Sequence, residues 1–103
     1  MTPITYTITD SITPATRASI LNAHAAIEAA LDVEFVEGGA DITYIEADTW
    51  GTSAAYVGLP STVWLLPGED GMWSLHETGH ALGLRHPHEV GRPELDMLDS
   101  VMS

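Results

Sequence analysis

The run His76-Glu77-Thr78-Gly79-His80-Ala81-Leu82-Gly83-Leu84-Arg85-His86 constrains this chain more than any other stretch. Two histidines four residues apart lie on one face of an α-helix, one turn from each other. Glu77 follows the first of them, about 100° further round the helix. Gly83 stands where such a helix can end, because glycine takes a positive φ at low cost. A chain turned back at that point brings His86 toward the two helical imidazoles. The fold must therefore build a helix over about 72–82, stop it at Gly83 and return the remaining residues beneath it.

Three neutral imidazoles around one ion, with a fourth position open, are the donor set of a catalytic zinc site and not of a closed structural one. The chain has no cysteine, so any metal must be held by imidazole and carboxylate. Glu77 is too close to His76 to serve easily as a third ligand on the same face. It can reach a water on the ion, which is where a general base belongs. Zinc lowers the pKa of such a water to ~7 and polarises a carbonyl. The expected reaction is peptide-bond hydrolysis in which Glu77 takes the water's proton and passes it to the leaving amine, with no acyl-enzyme. His88 competes with His86 for the third position, but the Gly-x-x-His spacing selects His86 and leaves His88 in a solvated loop. His24 has no partner motif and reads as a surface or helix-packing residue. Because imidazole binds metal only when neutral, activity and metal affinity are expected to fall together below about pH 6.

Upstream, Ile4, Tyr6 and Ile8 alternate with Thr5, Thr7 and Thr9, the period of a half-buried strand. Thr13-Pro14 reads as an N-cap with proline at the first helical position. A helix over 15–31 follows, its apolar face assigned to Ala18, Leu21, Ala25 and Leu31, with Ile20 and Ile27 alongside. Val33 to Val36 and Asp41 to Ile45 read as strands, the first ended by Gly38-Gly39. Residues 48–60 read as a loop around a short extended piece near Ala55 to Val57. Thr62 to Leu66, bounded by Pro60 and Pro67, is a further strand, and Asp70 is a plausible N-cap for the helix that carries the motif. The predicted class is α+β: a mixed, twisted sheet with a backing helix and an active-site helix packed on it, and a short C-terminal tail. The 103 residues form one domain, with 1–82 as an upper subdomain and 83–103 as a reduced lower one.

The net charge is −12, with Arg17, Arg85 and Arg92 the only strong cations. Such a surface repels nucleic acid and anionic membranes and favours neutral or basic peptides. Carboxylates in 41–48 or 89–99 could hold calcium, but neither segment has a recognised loop spacing, and a solvated acidic face is the expectation. The first six residues lack the basic and apolar regions of a signal peptide. The expectations are therefore that the chain stays inside the cell, leaves by a route needing no N-terminal signal, or has been trimmed.

The eleven-residue run, continued by Pro87, matches the long zinc signature of the metzincin peptidases at every defining position and resembles the serralysin and astacin-like branches. The resemblance implies a zincin-like fold, one catalytic Zn2+, a peptide or protein substrate and secretion. It implies His76, His80 and His86 as ligands, Glu77 as base, and Gly83 as the turn beneath the metal. Ser100-Val101-Met102-Ser103 resembles the Met-turn, so Met102 would form the apolar floor under the histidines, with Met97 the competitor. Ala40 to Thr43 and Val63 to Leu66 resemble strands of the family's upper subdomain. The family continues beyond its Met-turn with a tyrosine and a helical lower subdomain, whereas here one residue follows Met102. Slow catalysis, or completion by a partner or by further sequence, is then expected.

An open site beside a sheet edge implies a substrate that binds as an added strand. Ala54, Ala55 and Tyr56 are the candidate edge, since small side chains let a backbone approach, although a plain connecting loop reads equally well. The leading functional reading is a zinc endopeptidase. Its alternatives are a non-catalytic zinc-binding module and an inactive piece of a longer metzincin. Retention of Glu77 argues against the module, because three histidines suffice for binding.

Overall fold

A computed structural model of the chain describes residues 1–68 and 72–83. Along it run β1 (Thr2–Ile8), α1 (Pro14–Ala30), β2 (Val33–Glu37), β3 (Ile42–Glu46), β4 (Ala54–Ala55), β5 (Ser61–Leu65) and α2 (Met72–Ala81). This is the order expected from the sequence. The strands form one sheet in the order β2-β1-β3-β5-β4. β1 is parallel to β2 and β3, β3 is parallel to β5, and β4 runs antiparallel to β5, so the sheet is mixed.

Register decides which side chains meet. Ile4 lies opposite Phe35, Tyr6 opposite Ile42, and Tyr44 opposite Val63. Side chains alternate between faces along a strand, so this register gathers Ile4, Tyr6, Ile42, Tyr44, Val63 and Leu65 on one face, and all six are buried. Ile20 of α1 and Ala81 of α2 join the same cluster, so both helices pack on that face. Ala23 and Ile27 of α1 meet Leu75 of α2 in a second cluster, which holds the helices to each other. Fully burying an aliphatic side chain contributes ~1.5–3 kcal/mol.

α1 starts as its sequence dictates: the Thr13 hydroxyl accepts a hydrogen bond from Thr16 N, and Pro14 opens the first turn. Its buried face is Ile20, Ala23, His24 and Ile27; the expected Ile20 and Ile27 lie on it, whereas Ala18, Leu21 and Ala25 are exposed. The reason is compositional. Apolar residues surround this alanine-rich helix, so periodicity alone leaves its orientation open by roughly one residue, or about 100°. The sheet then selects the side that carries two isoleucines and a planar ring.

The short extended piece also moves. β4 is Ala54–Ala55 and excludes Val57, because Gly58 at φ 91° turns the chain away just afterwards. Tyr56 still donates its backbone N–H to Thr62 O at 3.3 Å, continuing the pairing with β5 for one more residue. Asp70, the expected N-cap of α2, lies outside the described residues.

Candidate active site

α2 ends by tightening. Leu82 N bonds both Thr78 O and Gly79 O at 3.1 Å, and Gly83 N bonds His80 O at 2.9 Å. Gly83 has φ 91°, and a Cβ built there meets nothing within 4 Å among the described residues. Backbone conformation therefore favours glycine at this position.

On the exposed side of this helix, His76 Nε2 and His80 Nε2 stand 3.1 Å apart, their ring planes at 84°. Two nitrogens at 2.0–2.1 Å from one ion in tetrahedral geometry are ~3.3 Å apart, so the spacing of the pair is close to that of two ligands on one zinc ion. Both rings are half-buried and Glu77 is buried. Trp73 meets the His76 ring edge-on at 5.4 Å between centroids. Among the described residues no group of three or more His, Cys, Asp or Glu comes together. His86 and Met102, like their competitors His88 and Met97, lie outside the described residues.

The sheet edge is tied to the same helix. Gly58 N donates to His80 O at 3.2 Å, and β4 packs against α2. Ala54 and Ala55 therefore form the outer strand of the sheet on the side nearest the histidine pair. Tyr56 is 61% exposed, its ring set edge-on against Trp64 at 5.3 Å. Trp50 meets Trp64 in the same way at 5.6 Å.

Behind the histidines lies a feature that sequence reasoning missed. His24 Nε2 is 2.9 Å from Tyr44 Oη, and Tyr44 Oη is 2.8 Å from Thr78 Oγ1. The chain of three crosses from α1 over the central strand to α2, and all three residues are buried. His24 also stacks on Phe35, with ring centroids 3.9 Å apart and planes at 5°, so it is the helix-packing residue of the two alternatives expected for it. Its Nδ1 has no partner among the described residues. Burial pushes the His24 pKa down to about 4 and holds the Tyr44 phenol well above its ordinary value, although the hydrogen bond it shares with Thr78 works the other way. No spacing rule links residues 24, 44 and 78. The only signal was a hydroxyl-bearing residue two positions after His76, on the helix face that turns toward the sheet.

Two solved structures share this architecture. High choriolytic enzyme 1, a hatching enzyme zinc-protease from Oryzias latipes (Medaka fish), superposes with a TM-score of 0.68 at 22% identity, over 82% of this chain and 44% of its own. Myroilysin gives a TM-score of 0.65 at 23% identity, over 84% of this chain and 50% of its own. The chain thus spans about half the length of these proteins or less, and the likeness establishes the zincin-like fold. No curated protein matches the sequence. The model of the peptidase family Astacin matches residues 1–99. Of the two metzincin branches that the histidine motif resembles, this match selects one: the chain belongs to the astacin family.

Proposed function

We propose that residues 1–103 form the catalytic domain of a zinc-dependent endopeptidase, with 1–82 as its upper subdomain and 83–103 as its lower one. The observation that carries this reading is the convergence of His76 Nε2 and His80 Nε2 to 3.1 Å, with Glu77 between them in sequence. His76, His80 and His86 are the ligands, Gly83 makes the turn that brings the third within reach, and Met102 lies beneath them. Bound zinc supplies Lewis-acid polarisation of the scissile carbonyl and acidification of water. Glu77 holds the proton lost by the attacking water on its carboxylate and returns it to the leaving amine. Ala54, Ala55 and Tyr56 bind the substrate as an added strand, through main-chain hydrogen bonds that favour an extended peptide. The substrate is a peptide or protein, and the acidic surface favours basic sequences.

The test is turnover of a quenched-peptide library in zinc-replete buffer by wild type and Glu77→Ala. Cleavage by wild type that drops at least ~100-fold in the variant supports a general base. Wild type that holds one zinc and cuts nothing refutes the peptidase reading.

A further inference from the structure

α2 is only ten residues long, and several residues on its buried side are small: Ser74, Gly79 and Ala81. Apolar contacts are non-directional, and a helix seated on small side chains is weakly specified in rotation about its own axis. The candidate site cannot tolerate that freedom. An imidazole nitrogen lies roughly 6–7 Å from the helix axis, so a 10° rotation displaces it by about 1 Å. A displacement of that size can lower a rate ~100-fold.

Against this, a directional interaction joins α2 to the centre of the sheet, in addition to the bond from Gly58 N to His80 O at its edge. Thr78 is fully buried, and its hydroxyl is held by Tyr44 Oη, which is in turn held by His24 Nε2. Thr78 lies between Glu77 and His80, within the same helical turn as both, so fixing its azimuth fixes theirs. The direction of the chain follows from its unpaired end. If His24 carried its hydrogen on Nδ1, a buried N–H donor would be left unsatisfied. With the hydrogen on Nε2, only a lone pair is, and this is the more commonly tolerated of the two. His24 therefore donates to Tyr44, and Tyr44 donates to Thr78. Stacking on Phe35 and edge contact with Tyr6 at 4.4 Å hold the imidazole in place at the far end.

We propose that His24 and Tyr44 are positioning residues for the candidate site, acting through Thr78 to set the rotation of α2 and so the aim of His76, Glu77 and His80. This rests on the zinc-site reading above, and it concerns the geometry of the metal pair whether or not the chain cleaves peptides. The alternative role for the three residues is stabilisation alone, in which the variants unfold more easily but their folded form binds metal as before.

The experiment measures Co2+ affinity of the full chain by optical titration, below the unfolding transition of each variant as followed by circular dichroism. Thr78→Val keeps the branched shape and removes the hydroxyl; Tyr44→Phe keeps the ring. Each is expected to weaken Co2+ binding about 10-fold or more, within the range for residues that orient metal ligands. The pair should be strongly non-additive, since both break one chain, and Thr78→Ser should restore affinity to within about 3-fold. Where turnover is measurable, kcat should fall and KM should stay within about 2-fold. Folded Thr78→Val and Tyr44→Phe proteins that bind Co2+ as wild type does would overturn the proposal, whatever their melting temperatures. If Thr78→Val does not fold, Tyr44→Phe and His24→Phe decide the matter by the same readout. Wild type that binds Co2+ but cleaves nothing defeats the peptidase reading and leaves this comparison intact; wild type that binds no Co2+ overturns both.

Discussion

The buried imidazole of His24 makes acid stability a direct probe of the core. Burial lowers its pKa from 6.5 to about 4 in the folded protein. The unfolded chain therefore takes up this proton first as pH falls. The stability that His24 contributes is complete above about pH 6.5 and drains away as pH drops toward 4. A shift of this size is worth at most ~3 kcal/mol, and by pH 5 about 2 kcal/mol of it should already be gone. His24→Phe removes the titration while keeping a planar ring against Phe35. At pH 7.5 the variant should be less stable by ~1–2 kcal/mol, because Tyr44 loses a hydrogen-bond partner. Toward pH 5 the gap should close or reverse, since only wild type has His24 to titrate. Urea unfolding of the metal-free proteins in chelator, at both pH values, reads this directly. With m near 1 kcal/mol/M, the wild-type midpoint should move by about 2 M relative to the variant. Other histidines and the carboxylates titrate in both proteins and cancel in the comparison. Acid arms that stay parallel to within ~0.5 kcal/mol would show that His24 is hydrated in the folded state, and the buried chain with it would be wrong.

Three further outcomes follow from the same geometry. Gly83→Ala forces a side chain into a left-handed conformation and should cost ~1–2 kcal/mol in urea unfolding; no loss would mean that the turn after α2 is not held at positive φ. In Gly39→Ala the new Cβ would overlap Thr5 Cβ and Oγ1, whose hydroxyl bonds Asp41, so a loss of ~1–3 kcal/mol is expected from overpacking, and a melting temperature unchanged within error would contradict it. Raising ionic strength from 0.01 to 0.15 M shortens the Debye length from ~30 to ~8 Å, so kcat/KM for basic peptides should drop several-fold while that for neutral peptides holds; equal responses would count against electrostatic attraction by the −12 charge.

The elements near the site were the most legible part of the chain, for a physical reason. The motif encodes its geometry locally: i, i+4 spacing fixes two rings on one face, and Gly83 marks the stop. β1 was equally clear because Ile4 and Tyr6 alternate with threonines on a sheet with one covered face. The facing of α1 was not legible, since alanines satisfy several rotations and only the sheet beneath chooses among them. β4 was misplaced by a residue because Ala-Ala carries almost no strand preference, and its pairing depends on β5, which comes later in the chain. The contact of Gly58 N with His80 O and the chain from His24 to Thr78 were invisible for the same reason, being products of tertiary register.

That division bears on how the site holds its shape. The histidine motif supplies the chemistry of the donors but cannot supply their aim, because a ten-residue helix has too few backbone hydrogen bonds to be rigid alone. Aim comes from long-range contacts on both sides of α2. Gly58 N holds the carbonyl of His80 from the sheet edge, and Tyr44 holds the hydroxyl of Thr78 from the sheet centre. These two hydrogen bonds attach to the helix two residues apart and come from different strands or their loops, so together they resist both rotation and sliding. On the proposed function, the edge contact also joins the substrate strand to the metal pair. A displacement of the segment that would bind substrate moves the backbone of His80, and a change at His80 is felt by β4. On the proposed function, substrate docking along Ala54–Ala55 and metal geometry at His76 and His80 are mechanically coupled through this bond, and a substitution at Gly58 that breaks it should alter both KM and metal affinity.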